Sequence, residues 1–208
     1  MSKRKHIVVA GNIGAGKSTL AKMLGAELDW QVKYENVEKN PYLADFYKDM
    51  HRWGFNLQVF FLNSRFEQIK EINAAIEPII QDRSIYEDAF VFAKSLNDQG
   101  ILTHRDYENY LRLFNSMMEL VQPPDLLIYL KSDIPNLMEN IQKRGRDYEK
   151  DLSRDYLTEL NHHYEDWIGS YESEKSLTVD ASLLDFVDNP KDFQEICTKV
   201  KMSLGENL

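Results

Sequence analysis

The alternation of short apolar runs with longer amphipathic stretches predicts an α/β protein, a doubly wound parallel sheet with helices on both faces. Two further observations agree with this. A glycine-rich loop directly follows the first apolar run, the usual place for a strand to turn into a helix. No internal repeat, low-complexity tract or linker divides the chain, so residues 1–208 read as a single domain with one sizeable core.

The candidate strands are 5–10, 31–35, 77–82, 125–130 and 176–180, each short and apolar enough for burial in a parallel sheet. Helical stretches lie at 17–28, 42–75, 85–120, 133–144 and 153–171, with a terminal helix at 190–203. Pro123-Pro124 punctuates the approach to the fourth strand, and Asn189-Pro190 the approach to the last helix.

Bulk properties narrow the function classes. A formal net charge of −9 argues against a nucleic-acid partner, which demands a clustered positive surface. Cys197 is the only cysteine, so no intrachain disulfide framework exists and a reducing, cytoplasmic compartment is expected. Its plain reading is a small apolar side chain on the last helix. Lys3-Arg4-Lys5 ahead of an apolar run imitates a signal peptide, but the run is short and ends in the glycine loop, so no targeting segment or membrane span is assigned.

The loop itself, Gly11-Asn12-Ile13-Gly14-Ala15-Gly16-Lys17-Ser18 followed by Thr19, is a complete phosphate-binding loop between a strand and a helix start. Glycines let successive backbone N–H groups converge on phosphate oxygens, and the helix opening near Lys17 adds its positive end. Lys17 is placed for the β- and γ-phosphates of a nucleoside triphosphate and the Ser18 hydroxyl for Mg²⁺. Ligands of such folds sit beyond the carboxyl ends of the strands. There the second strand ends in Tyr34-Glu35 and the third in Asp82-Arg83-Ser84. Asp82 follows an apolar strand as a magnesium-holding carboxylate does, although Asp82 or Ser84 would also serve as a cap for the next helix.

Helical spacing supplies a second group. Gln58 and Arg65 fall on one helix face with Phe61 between them, and Asp88 and Phe92 share a face of the next helix. An amide, a guanidinium, a carboxylate and an aromatic ring can together read and stack a nucleobase. Taken alone, each pair is more often a surface ion pair or a core aromatic. The segment 143–151 is densely charged, and by composition alone it reads as a solvated helix end.

Together, Gly11 to Ser18, Glu35, the spacing Tyr47–Trp53–Gln58–Arg65, Asp82-Arg83-Ser84-Ile85-Tyr86-Glu87-Asp88 and Arg144-Gly145-Arg146-Asp147-Tyr148-Glu149 resemble the deoxyribonucleoside kinase family. Asn40-Pro41-Tyr42-Leu43 and Gln122-Pro123-Pro124-Asp125-Leu126-Leu127 are most similar to its bacterial deoxyadenosine and deoxyguanosine kinases. The resemblance implies a P-loop kinase-like five-stranded sheet of order 2-3-1-4-5, a homodimer, and a lid at about 140–152. It implies ATP and Mg²⁺ as cofactors and a small deoxynucleoside as acceptor. Glu35 matches the general base for the 5′-hydroxyl, Arg83 the arginine beside it, and Tyr47 with Glu149 the pair that holds the 3′-hydroxyl. Gln58, Arg65, Asp88 and Phe92 match base contacts, Arg144 and Arg146 the lid arginines, and Asp185-Phe186 the loop touching the donor adenine. On the motif reading, Ser18 and Asp82 are the candidate metal-holding residues.

Two departures stand out: Asn140 where some members carry a further lid arginine, and Asn40 where animal enzymes have a tryptophan. The expected activity is 5′-phosphorylation of deoxyadenosine in nucleotide salvage, with deoxyguanosine or deoxycytidine as alternatives. A thymidylate-kinase-type monophosphate kinase is disfavoured because the Glu35 carboxylate would repel an acceptor phosphate. A non-catalytic nucleotide switch is disfavoured because base, sugar and lid positions are all occupied.

Overall fold

The computed structural model describes residues 5–34, 40–146, 149 and 152–205. Five parallel strands lie in the order β2-β3-β1-β4-β5: β1 His6–Ala10, β2 Gln31–Lys33, β3 Ile79–Asp82, β4 Leu126–Lys131 and β5 Ser176–Asp180. The expected strand order is therefore the observed one. Val9 pairs with Asp82 and Ala10 with Tyr129, so the carboxyl ends of β1, β3 and β4 finish side by side. From the central β1 the chain winds outward both ways, which opens a crevice where the glycine loop leaves the sheet.

Alternation along β1 explains the layering. Ile7 and Val9 point to one face, packing with Leu20 and Leu24 of α1 (Lys17–Leu28) and with Ile196 and Val200 of a C-terminal helix over Pro190–Ser203. Val8 and Ala10 point to the other face, against Leu160, Tyr164 and Trp167 of a helix over Arg154–Ser170. Burial of all strands holds only for the centre. The edge strands β2 and β5 are partly exposed, because each pairs on one side only.

Two long helical stretches are broken. The stretch 42–75 divides at Asp49 into α2 (Leu43–Lys48) and α3 (Met50–Ala74), because the Asp49 side chain caps α3 by accepting from the Arg52 N–H. The stretch 85–120 begins as α4 (Ile85–Glu87), widens into a π-turn over Asp88–Ala93 and resumes as α5 (Lys94–Asp98). It then stops at Gly100, whose φ is 71°, and restarts after the Thr103 cap as α6 (His104–Met118). Helix α7 spans Ile134–Arg144, the Arg154–Ser170 helix is α8 and the C-terminal one α9. Cys197 is buried in the core, as expected, and burial pushes its thiol up to about 11. No helix among the described residues is long and apolar enough to cross a membrane.

Candidate active site

The glycine loop is built into place from several sides. Gly14, at φ 85°, would drive a Cβ to 2.6 Å from the Leu137 carbonyl oxygen, so no other residue fits there. Gly16, at φ 91°, turns the chain into α1. The Asn12 side chain accepts from the Ile13 N–H at 2.7 Å and donates to the Leu157 carbonyl at 2.9 Å and to Asn161 Oδ1 at 2.6 Å. Asn140 donates its amide to the Gly14 carbonyl at 2.9 Å. The residue at the expected arginine position thus holds the loop. Lys17 Nζ curls back to the Asn12 carbonyl at 2.9 Å.

Asp82 ends β3 beside this loop. Its Oδ2 accepts from the Ser18 hydroxyl, while its Oδ1 is buried and has no partner among the described residues. The cap of the next helix is Ser84, not Asp82: Ser84 and Glu87 form a reciprocal capping box. A hydroxyl and an orphaned carboxylate oxygen side by side suit Mg²⁺, which takes one or two protein oxygens and fills its octahedron with phosphate and water. Among the described residues there is no cluster of three or more metal-ligating side chains that could form an all-protein cage.

A cavity of about 380 Å³ opens from this point, and Lys17, Ser18, Asp82, Arg83, Gln58, Asp88 and Phe92 all line it. Arg65 Nε donates to Asp88 Oδ2 at 3.1 Å, with both side chains 4% exposed. Arg65 stands behind Asp88 and does not itself line this cavity. The Gln58 amide is buried and its Oε1 has no partner among the described residues, leaving an acceptor for a ligand. Arg83 adopts φ 69°, rare for a residue with a side chain, and its guanidinium lies 4.5 Å from the Phe92 ring centroid. Phe92 follows Asp88 through the π-turn, a distortion that recurs at functional sites.

The charged segment meets the same cavity. Arg144 donates from Nε and Nη2 to Glu149 Oε2 at 2.9 and 2.5 Å, and Arg146 Nη1 to Glu149 Oε1 at 3.4 Å. Tyr47 lines the cavity with them. Of the expected site residues, Glu35 lies outside the described residues. A second groove, about 650 Å³, runs over Gly14 to Thr19, Asn140 and Arg144 to Asp185 and Phe186. Phe186 is nevertheless mostly core, packed against Gly16. Asn40 is buried, and its side chain accepts from the Tyr42 N–H at 2.9 Å, a turn role apart from the cavity wall.

Sequence reasoning missed Tyr156, which lines the cavity from the first turns of α8, and Glu87 with Tyr164, which stand behind Arg83. The Ser84–Glu87 capping pattern was a local signal for one of these. Tyr156 and Tyr164 had none.

Comparison with known proteins agrees with this geometry. The family described as "Deoxynucleoside kinase" matches residues 7–204. A deoxyadenosine/deoxycytidine kinase of Bacillus subtilis is 38% identical over 99% of this chain and 95% of its own. A deoxyguanosine kinase of Lactobacillus johnsonii is 37% identical over 96% of this chain and 92% of its own. The solved structure of deoxyadenosine kinase from M. mycoides with bound dATP superposes with a TM-score of 0.82 at 30% identity, covering 94% of this chain and 99% of that one.

Proposed function

The chain belongs to the deoxynucleoside kinase family, whose members are ATP-dependent phosphotransferases, and from that premise we propose that it phosphorylates the 5′-hydroxyl of deoxyadenosine. The carrying observation is the single cavity that joins Lys17, Ser18, Asp82 and Arg83 to the buried Gln58 and Asp88. Lys17, Ser18 and Asp82 suit a triphosphate, and Gln58 with Asp88 suits a base. The Gln58 amide can pair with an adenine edge in two parallel hydrogen bonds. Asp88, held by Arg65, is acceptor-only and favours a donor-bearing base, whereas thymine would present a carbonyl and a methyl group. Deoxyguanosine and deoxycytidine are secondary substrates in this reading, which the names of the relatives support.

In the reaction, loop N–H groups and Lys17 grip the β- and γ-phosphates while Glu35 orients the 5′-hydroxyl and accepts its proton late. Arg83 lies beside the reacting oxygen. Tyr47 and Glu149 hold the 3′-hydroxyl, and Arg144 and Arg146 act as arginine fingers in cis on the charge that develops. Glu149 would release one or both arginines as it takes up the sugar, which ties lid closure to acceptor binding. Ser18 and Asp82 would hold Mg²⁺, which supplies neutralisation of the triphosphate when bound. The donor adenine would sit along the groove that includes Asp185 and Phe186. We further propose a cytoplasmic homodimer with no nucleic-acid or membrane partner.

A phosphorylation assay with ATP, Mg²⁺ and a deoxynucleoside panel tests this. Deoxyadenosine should be preferred, thymidine very poor and EDTA inhibitory. A deoxynucleoside monophosphate outperforming every nucleoside, or ATP binding without turnover, would overturn the reading.

A further inference from the structure

Glu87 has no exposed surface, a state carboxylates reach only when their oxygens are occupied. Its Oε2 accepts from the Ser84 N–H at 2.6 Å, the half of a capping box that a helix start requires. Capping leaves Oε1 unexplained. That oxygen accepts from the Gly11 N–H at 3.2 Å and from the Tyr164 hydroxyl at 2.7 Å, and Arg83 Nη1 stands 3.9 Å away. The Tyr164 oxygen is also 2.8 Å from the Gly11 carbonyl oxygen and accepts from Arg83 Nη1 at 3.5 Å. One carboxylate and one phenol therefore join the first residue of the phosphate loop, the kink between β3 and α4, the cavity arginine, and α8.

The consequence falls on Arg83. Its left-handed backbone is strained and persists only where its surroundings over-determine it. Here its own N–H is fixed by the Val9 carbonyl at 3.0 Å and the following N–H by Glu87. The guanidinium is then held between the Phe92 ring on one side and the Tyr164–Glu87 pair on the other. Being 6% exposed, it also depends on the nearby negative charge.

We propose that Glu87, together with the Tyr164 hydroxyl, is a positioning residue for phosphoryl transfer: without touching substrate, it fixes the Arg83 guanidinium relative to the first N–H of the phosphate loop. This rests on the reading of Arg83 as the group beside the reacting oxygen. Glu87→Gln keeps the side chain's size but turns an NH₂ group toward the Gly11 or Ser84 N–H, and it removes the charge facing Arg83.

The test is a kinetic double-mutant cycle on the full chain with Glu87→Gln, Arg83→Lys and the pair, alongside deoxyadenosine affinity measured by calorimetry without ATP. Positioning predicts that Glu87→Gln lowers kcat about 10–100-fold, by analogy with the outer-shell partners that orient metal ligands. Affinity should stay within about threefold, and in the Arg83→Lys background the second substitution should cost less than about twofold, since it acts through a group already lost. Tyr164→Phe, which retains the ring packing, should show a smaller kcat loss with the same non-additivity and carries the cycle if Glu87→Gln does not fold. Losses that multiply in the double variant, or a Glu87→Gln protein with normal kcat per folded site and only lowered stability, overturn the proposal. A near-normal kcat for Arg83→Lys instead overturns the reading of Arg83 on which it rests.

Discussion

Breaking the Arg65–Asp88 pair separates base recognition from stability. At 3.1 Å the two charges attract by about 5 kcal/mol gross for an effective dielectric of about 20. Desolvation of both ions offsets most of that, since each side chain is only 4% exposed. The intact pair therefore adds little over a well-packed apolar pair, but removing one member takes the opposite charge away from the other, which stays buried. Asp88→Ala should destabilise by about 3–5 kcal/mol. For a chain of this length that lowers Tm by about 6–20 °C. Arg65→Met combined with Asp88→Ala should regain most of that loss, because no buried charge remains. Its kcat/KM for deoxyadenosine should stay depressed while the ratio shifts toward thymidine, whose carbonyl and methyl no longer face a carboxylate. Thermal melts and a two-substrate assay on the single and double variants measure both effects. Additive stability losses in the double variant, or unmodified protein that prefers thymidine, would refute the reasoning.

Glu35→Gln keeps hydrogen bonding but removes proton acceptance, so kcat should fall about 10²–10⁴-fold with deoxynucleoside Kd little changed, as read by rapid-quench kinetics and calorimetry. Arg144→Ala should cost about 10³–10⁵ in kcat while acceptor affinity survives; a loss confined to KM would make Arg144 a ground-state contact only. If Tyr47 and Glu149 hold the 3′-hydroxyl as proposed, a 2′,3′-dideoxynucleoside should lose about 2–3 kcal/mol in kcat/KM relative to its deoxy parent. Cys197, 1% exposed with its thiol raised to about 11, should resist iodoacetamide at pH 8 and react only once the chain is unfolded.

What the sequence made legible was local. The strand His6–Ala10 and the glycines after it carry their meaning in adjacent residues, since a buried parallel strand is a continuous apolar run and phosphate contact demands glycines at fixed spacing. The strand order was not written in any periodicity and came only with the family resemblance. The break at Asp49 was missed although its residue type is a common cap, because the apolar pattern runs through it. The π-turn at Asp88 escaped for a related reason: a period of 3.6 assigns Asp88 and Phe92 to one face of a regular helix and carries no signal of a widened turn. Contacts such as Glu87 with Tyr164, 77 residues apart, leave no trace in spacing at all.

Asn140 carries the argument one step beyond such gaps. Set against relatives, it reads as a missing guanidinium, a loss of positive charge over the transferring phosphate. Set in the fold, its amide donates to the Gly14 carbonyl and joins α7 directly to the phosphate loop. Asn161 of α8 reaches the same loop through Asn12, and Glu87 of α4 reaches it through Gly11. Three helices thus fix one loop by side-chain hydrogen bonds. Fixed donors need no reorganisation when charge develops, which is where a preorganised site gains most over water. An amide at position 140 therefore gives up long-range charge for a rigid connection, and Arg144 and Arg146, both paired with Glu149, remain on the wall of the neighbouring cavity.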